Sequence, residues 1–374
     1  VIPTSATPSV TVAIPTFNEE QHIERIIREF LATNYPNLLE VYIADGGSTD
    51  ETIRIIQRLA NEDSRVKLLR NPMKIQSAGL NKILDHCSGE IFLRADAHSD
   101  YAPDYIETCV EALLESQALN AGGAQRFVAK TRFQAGIALA TKSLLGSGGA
   151  KYRDPNYDGY ADTVYLGCFW RKALVDLSGY DEKATPNEDT ELNVRLQRTF
   201  DSSQITNQDA ELNQRLLERN QAAVYVSSKI RAWYYPRKSW LALWTQYFKY
   251  GRGRCLTAMK HARRSQIRGQ IPFIAVSVLL AMALLSLLMP ALRPIILVAS
   301  LSGVVIPILE GLRISLKYDR TFSEEIWRGH PNKVPSLFER TMLCSLTLFT
   351  MPIAHFSGYA YQLIRRNILK VSDW

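Results

Sequence analysis

The residues best suited to chemistry fall in three short segments of the first hundred positions. Arg94-Ala95-Asp96-Ala97-His98 sets a carboxylate and an imidazole at i and i+2, which share one side of an extended segment. With diphosphate oxygens and water completing the shell, that pair suits Mn2+ or Mg2+, although a lone histidine is more often a surface or hydrogen-bonded residue than a ligand. Ala44-Asp45-Gly46-Gly47-Ser48-Thr49-Asp50 offers a carboxylate able to accept from a nucleobase N–H or a ribose hydroxyl, beside two glycines that permit close backbone approach. The same residues also make a glycine turn and a helix cap. In Ile14-Pro15-Thr16-Phe17-Asn18-Glu19-Glu20 the chain turns past a proline through polar groups. Asn18 and Glu19 there can hydrogen-bond a base and ribose, or Asn18 can simply cap a helix.

Each segment follows a run that reads as a β-strand. Val10-Thr11-Val12-Ala13-Ile14 precedes apolar residues at Ile23, Ile26, Ile27, Phe30 and Leu31, the i, i+3, i+4, i+7, i+8 spacing of a helix. The cycle repeats at Val41-Tyr42-Ile43-Ala44, where Ser48-Thr49-Asp50-Glu51 reads as an S-x-x-E capping box, and again at Val66 to Leu69 and at Ile91-Phe92-Leu93. Repeated βα units predict an α/β domain with a mostly parallel sheet flanked by helices. Ligands of such sheets bind beyond the carboxyl ends of the strands, where these three segments lie. Past Gln117 the pattern is less regular, and we read an acceptor-side half of the same globule. An internal near-repeat follows, Asn187-Glu188-Asp189-Thr190-Glu191-Leu192 against Asn207-Gln208-Asp209-Ala210-Glu211-Leu212, each copy reading as a helix with an acidic start. Ala223 to Ser227 and Ile230 to Tyr234 read as two strands.

The chain has 374 residues and a net charge of +7, but its basicity is local. Asn220 to Gln270 holds eleven Lys/Arg and no Asp or Glu. Trp240, Leu241, Trp244, Tyr247 and Phe248 sit there at helical spacing, which predicts a basic amphipathic helix at a membrane surface, aromatic side to lipid and cations to anionic headgroups, with a core helix ending in solvated cations as the alternative. Ile271 to Leu292 is 22 consecutive uncharged residues, long enough to cross a bilayer. Further spans are predicted at about 294–312, interrupted by Pro307, and 341–364, the last crossing or re-entrant. The expected organisation is an N-terminal tail at 1–9, a globular domain at 10–236, an interfacial segment at 237–270 and a transmembrane region at 271–374. Six Lys/Arg between Arg313 and Arg340, against only Arg293 between the first two spans, predict a globular domain on the cytoplasmic side, although Arg365, Arg366 and Lys370 conflict with three full crossings. Five scattered cysteines without a CxxC pair suggest a reducing compartment, and Val1 to Ser9 lacks the apolar core of a signal peptide.

Together P-T-F-N-E-E, A-D-G-G-S-T-D and R-A-D-A-H, each after a successive strand, resemble the nucleotide-sugar-binding half of family 2 inverting glycosyltransferases with the GT-A fold. Asn71-Pro72-Met73-Lys74 with Gly79-Leu80-Asn81, Asp162 to Gly167, and Gln246 to Arg252 extend the likeness to nearly the whole chain, toward a membrane-bound branch of succinoglycan-type transferases. The resemblance implies a GT-A domain with a C-terminal helical membrane region, at a bacterial inner membrane with the catalytic domain cytoplasmic. It implies that Pro15, Thr16, Asn18, Glu19 and Asp45 hold the uridine part of a UDP-sugar, with Lys74 and Asp96 also on the donor. It puts Asp96 and His98 at the metal-binding D-x-D position, with His in place of the second Asp. The family's general base is the Asp of an E-D pair at a helix start. Here Asp189 is preferred, and Asp209, from the second copy, is the alternative. Gln246, Arg252 and Arg254 loosely match a Q-x-x-R-W element over the donor diphosphate, without its Trp, and with Asp162 are assigned to diphosphate or acceptor.

The expected activity is transfer of a hexose from a UDP-sugar to a polyprenyl-diphosphate-linked or other lipid-linked glycan in exopolysaccharide biosynthesis, with membrane lipids as further partners. A processive polysaccharide synthase is the alternative within that chemistry, and a non-catalytic membrane scaffold the alternative outside it. The basic stretch carries no recognised nucleic-acid module, and no G-x-G-x-x-G follows the first strand, so neither nucleic acid nor a dinucleotide is expected.

Overall fold

The computed structural model describes residues 7–184, 188–204, 223–260 and 269–371. Two compact units emerge, one of Val1–Arg126 with Asp154–Tyr234, the other of Phe127–Arg153 with Tyr235–Trp374. The first begins as the βα alternation predicts: β1 (Val10–Thr16), α1 (Ile23–Leu31), β2 (Leu38–Asp45), α2 (Thr52–Glu62), β3 (Val66–Arg70), α3 (Gln76–His86) and β4 (Ile91–Arg94). After a short turn come β5 (Ser99–Tyr101), α4 (Tyr105–Ser116) and β6 (Asn120–Phe127). The chain then contributes α5 (Arg132–Thr141) and α6 (Leu144–Ser147) to the second unit. It returns with β7 (Gly159–Tyr160), β8 (Tyr165–Trp170), α7 (Arg171–Asp176), α8 (Glu188–Gln204) and β9 (Val224–Tyr234), the last being one strand where the sequence suggests two.

The strand order is β3-β2-β1-β4-β8-β6-β9-β5, with β7 on β9. β3, β2, β1 and β4 are parallel, and all the other pairs whose registers are defined among the described residues are antiparallel. The sheet is therefore mixed, where the βα pattern predicted a mostly parallel one. The cause is local: a parallel neighbour needs a crossover of a dozen or more residues, and only four separate β4 from β5, so β5 joins the far edge against β9. Val12, Ile14, Val41, Ile43, Ile91, Phe92 and Leu93 are fully buried, and Ile23, Ile26 and Ile27 of α1 cover the sheet. Thr16 pairs with Asp45 in register and Asp45 with Arg70, so the loops after β1, β2 and β3 leave the sheet side by side.

The second unit is helical. It adds α9 (Trp240–Lys260), α10 (Ile271–Leu288), α11 (Arg293–Lys317), α12 (Phe322–Glu325) and α13 (Leu337–Asn367). α10 and α11 have mean hydropathies of 2.6 and 2.2 and are hardly buried by protein. Leu284, Leu287 and Leu288 are more than 60% exposed, and each such side chain left in water forgoes about 1.5–3 kcal/mol. Two helices, among the described residues, are thus long and apolar enough to cross a membrane. The segment 341–364, expected as a third, belongs to the 31-residue α13, which buries Arg340, Ser345, Thr347, Thr350, His355 and Gln362 and exposes Phe338, Met342, Leu346 and Phe349. Backbone proximity docks it: an added Cβ at Gly136, Gly251 or Gly311 would overlap Leu343, His355 or Ser345 of α13, and one at Gly358 would overlap Phe248 of α9. Small residues permitting such approach characterise helix pairs that pack without aqueous driving force. The five cysteines are buried free thiols.

Candidate active site

The loops after β1 and β2 are stapled together. Asn18, with a φ of 53°, donates its N–H to Ser48 Oγ at 2.8 Å, and its Oδ1 accepts from the Thr49 N–H at 2.9 Å. Glu19 N–H donates to Thr52 Oγ1 at 2.8 Å and Glu20 N–H to Asp50 at 3.2 Å. Asp45, 3% exposed, accepts from the N–H groups of Gly47 at 2.8 Å and Ser48 at 3.0 Å, and from the Ser48 hydroxyl. Two expectations change here. Ser48 does not form a capping box, because its hydroxyl is taken by Asp45 and Asn18, and α2 begins at Thr52 without a side-chain cap. Asn18 does not cap α1, whose N-cap is His22. Pro15 is half-buried, and the buried Thr16 hydroxyl has no hydrogen-bond partner among the described residues. Lys74, at φ 58°, lies beside Gly47, where an added Cβ would stand 3.7 Å from its Cε, so the third loop reaches the second.

Asp96 and His98 lie in a turn rather than on the extended segment that the alternation argument needs. Tyr101 makes the turn: its hydroxyl accepts from Asp96 N–H at 2.7 Å and donates to Asp96 O at 3.1 Å. Asp96 Oδ1 accepts from Gln76 Nε2 at 3.2 Å and lies 3.8 Å from Arg94 Nη2. His98 Nδ1 meets Glu19 Oε1 at 3.0 Å. A carboxylate holding Nδ1–H fixes the tautomer whose Nε2 carries the lone pair, the usual support of a metal-bound histidine. The residues fit a divalent ion in that sense. No group of three or more His, Cys, Asp or Glu among the described residues could hold one, so a ligand's oxygens would have to complete the shell.

Asp189 stands in the first turn of α8, where Glu188 and Glu191 join it. The Arg94 guanidinium, its side chain 6% exposed, pairs with Asp189, whose side chain is 43% exposed. Burial disfavours the Arg94 cation, but Asp189 and Asp96 outweigh burial and raise its pKa. Glu188 is 4% exposed, and its Oε2 has no partner among the described residues. Burial, then the Asp189 charge, push its carboxyl up to about 7. Glu191 holds the fold together here, because it binds Arg195, which also donates to Leu177 O and Gly179 O and ties α8 to the preceding loop. Asn193 of α8 donates to Thr163 Oγ1 at 2.9 Å, which holds Thr163, the chain neighbour of the half-buried Asp162, against the helix. Asp209 and the second copy of the near-repeat lie outside the described residues.

Gln246, Arg252 and Arg254 belong to the other unit, on α9. Gln246 Nε2 donates to Tyr250 OH at 2.9 Å, and Arg252 Nε to Gln362 Oε1 at 3.0 Å. Arg254 runs along Gly269. A depression of about 440 Å³ along α9 is lined by Arg237, Thr245, Gln246 and Lys249.

Residues 11–170, which contain the stapled loops after β1 and β2 and the Asp96 turn after β4, match the model of glycosyl transferase family 2. The succinoglycan biosynthesis protein ExoA of Rhizobium meliloti is 35% identical over 266 residues, 71% of this chain and 74% of that protein. The chain belongs to glycosyltransferase family 2. A dolichyl N-acetylglucosaminyl phosphate diacetamidodideoxyglucuronosyltransferase of Methanococcus voltae is 25% identical over 50% of this chain and 61% of its own. Among solved structures, a mannosyltransferase from Pyrobaculum calidifontis in complex with GDP-Man and Mn2+ aligns with a TM-score of 0.49 at 16% identity, covering 96% of this chain and 88% of that one.

In this family 2 glycosyltransferase the site also contains residues to which the motifs assigned no role. Arg94 ends an otherwise apolar strand, a signal in retrospect, since a charge is seldom buried there without a partner. Thr52, Gln76 and Tyr101 carried no signal, because their role is to hold loops that are remote in sequence.

Proposed function

We propose that this glycosyltransferase moves a hexose from a UDP-sugar to a polyprenyl-diphosphate-linked or other lipid-linked glycan, with inversion, in cell-surface polysaccharide biosynthesis. The supporting observation is the union, in one unit, of stapled loops after β1 and β2, the Asp96 turn after β4, and the acidic start of α8 tied to that turn by Arg94. Similarity to a succinoglycan biosynthesis protein supports the biological setting.

Thr16, Asn18, Glu19 and Asp45 frame the nucleoside, Pro15 sets the turn, and Lys74 offers a cation to the donor. Asp189 accepts the proton of the acceptor hydroxyl while that oxygen attacks the anomeric carbon. The glycosyl–phosphate bond breaks, and its electron pair leaves on the nucleoside diphosphate. Asp96 and His98 are the residues that would hold Mn2+ or Mg2+, which supplies charge neutralisation for that leaving group. Asp162 and the α9 cations Arg252 and Arg254, with Gln246, are assigned to diphosphate or acceptor. α10 and α11 anchor the enzyme in the bacterial inner membrane with its catalytic domain cytoplasmic, so enzyme and lipid-linked acceptor share one plane and meet at raised effective concentration.

The deciding experiment is nucleoside diphosphate release by the detergent-purified chain across UDP-, GDP- and dTDP-sugars, with Mn2+, Mg2+ or chelator, and with or without bacterial lipid extract. Metal-dependent UDP release stimulated by lipid is expected. Release from GDP- or dTDP-sugars alone would overturn the donor assignment, and full activity in chelator the metal assignment.

A further inference from the structure

Within the helical unit, α10 and α11 are joined by Met289–Leu292, a link short enough to set them antiparallel. The start of α10 and the end of α11 therefore lie at the same end of the hairpin, its base. α13 touches the hairpin at both of those places. Phe273, in the first turn of α10, stacks on Phe356 and Tyr359 with centroids at 5.5 and 4.3 Å. Gly311, near the end of α11, abuts Ser345 so closely that an added Cβ would overlap its side chain. From Ser345 to Phe356 the helix advances about 16 Å, enough to carry it from one base to the other.

The rest of the hairpin is bare. In each of its apolar stretches only 6% of the residues are buried. The buried residues of α11 are Gly311, Ile314 and Ser315, all in its last two turns, and α10 buries Ser286 near its linked end. A third span would run beside the other two and pack against their middles, as helices do in membrane bundles. α13 crosses the base instead.

α13 has two unlike sides. Phe338, Met342, Leu346, Phe349, Phe356 and Ile364 recur at i, i+4, i+8, i+11, i+18 and i+26, one stripe of a helix, and all but the half-buried Phe356 are exposed. No charged residue falls between Thr341 and Ile364. The other side is polar and covered: Thr350 Oγ1 accepts from Trp240 Nε1 at 3.0 Å, Arg340 pairs with Asp319, and Gln362 Oε1 accepts from Arg252 Nε at 3.0 Å. One apolar stripe backed by a polar face is the pattern of a helix lying in a membrane interface.

Two observations name lipid as what covers the stripe. Phe356, on the stripe, meets Phe273, so the stripe runs on into the exposed aliphatic surface of α10 at Ile274 and Val278. Two crossings would also put Arg365, Arg366 and Lys370 on the same side as the six Lys/Arg between Arg313 and Arg340, which removes the charge conflict that three crossings create.

We infer that α13 lies in the plane of the membrane interface, its Phe338–Ile364 stripe dipped into the leaflet that α10 enters and α11 leaves, so that the helical unit crosses the bilayer twice. This rests on reading α10 and α11 as spans and not on the transferase chemistry. α9, which meets α13 backbone to backbone at Gly251 and Gly358, is thereby held at headgroup level.

The test places a nitroxide on the full chain, reconstituted in phosphatidylethanolamine–phosphatidylglycerol vesicles, at Phe338→Cys, Met342→Cys, Leu346→Cys, Phe349→Cys and Ile364→Cys, one at a time. The unsubstituted chain, with its five thiols buried, is the labelling blank. Depth is read from relaxation by oxygen against a water-soluble nickel chelate. All five labels should sit at about 5–10 Å, the depth of an interfacial helix's apolar face, while Leu280→Cys, midway along α10, should sit near the bilayer centre. In sealed native vesicles of one orientation, Lys333→Cys and Arg366→Cys should react with an impermeant maleimide from the same face. With Leu280 deep, α13 labels that descend to the bilayer centre toward Phe349, or Lys333 and Arg366 on opposite faces, overturn the inference. Stripe labels fully open to nickel, or broadened by the label of a second copy, give the surface to water or to a dimer and overturn it too. A Leu280 label in water sinks the membrane reading of α10 itself, and the inference with it.

Discussion

Arg94, the last residue of β4, pairs through Nη1 with Oδ1 of Asp189, 95 positions on in the first turn of α8. The same guanidinium stands 3.8 Å from Asp96, so one buried cation serves the proposed base and the proposed metal-site carboxylate together. Replacing Arg94 with Met leaves Glu188, Asp189 and Asp96 without it. We expect a loss of about 1–3 kcal/mol in stability, below the figure for a fully buried pair because Asp189 is 43% exposed, and at least a hundredfold loss of kcat. Arg94→Lys should recover stability more than rate, since an ammonium lacks the planar fork that reaches both carboxylates. Chemical denaturation alongside turnover checks both.

Glu188 gives stability a pH dependence with a definite sign. Its folded pKa, raised to about 7, exceeds the ordinary 4.5, so the folded state binds a proton more tightly than the unfolded chain. Stability contributed by the protonated group is complete below about 4.5 and lost as pH rises toward about 7. Glu188→Gln should flatten that part of the profile. Denaturation midpoints at half-unit pH steps between 4 and 8 test it, and an unchanged slope would contradict the assigned environment.

Asp189→Asn and Asp209→Asn separate the two copies of the acidic repeat. One substitution should reduce kcat by about two to four orders of magnitude with UDP-sugar affinity retained, and the other should be nearly silent. Its tie to the Asp96 turn through Arg94 favours Asp189. Equal, mild losses from both would remove the base from this segment altogether.

Asp96→Ala should abolish metal-stimulated turnover, and His98→Ala should weaken metal affinity. Glu19→Gln tests the support of the imidazole: it should raise the metal concentration needed for half-maximal rate about tenfold or more. Titration of activity with Mn2+ after chelation reads all three.

Gly358→Ala should separate α9 from α13, at a cost of about 1–3 kcal/mol. Gly303→Ala in α11, with nothing within 4 Å of an added Cβ, is the matched control and should leave the thermal midpoint of the detergent-solubilised chain unchanged.

Much of this protein was legible from local signals. Alternating strand and helix periods placed β1 to β4, because each apolar face follows from the backbone's own repeat. The motif loops were found at the strand ends, and α10 and α11 followed from long apolar runs with one intervening charge. What tertiary structure decided was which partner each polar group took. Ser48 reads as a cap but bonds Asp45 and Asn18, because the register of β1 on β2 sets those loops side by side. Asp96 and His98 read as an extended pair, but the Tyr101 hydroxyl folds them into a turn. The segment 341–364 reads as a span by its apolar count, whereas packing decides that its polar residues face inward against neighbouring helices. The sequence by itself determined the family chemistry and the places where long apolar helices form, since both depend on residue type and short-range period. The pairing of Arg94 with Asp189 and of Arg252 with Gln362 depends on how remote helices and strands come together, and only the folded chain settles that.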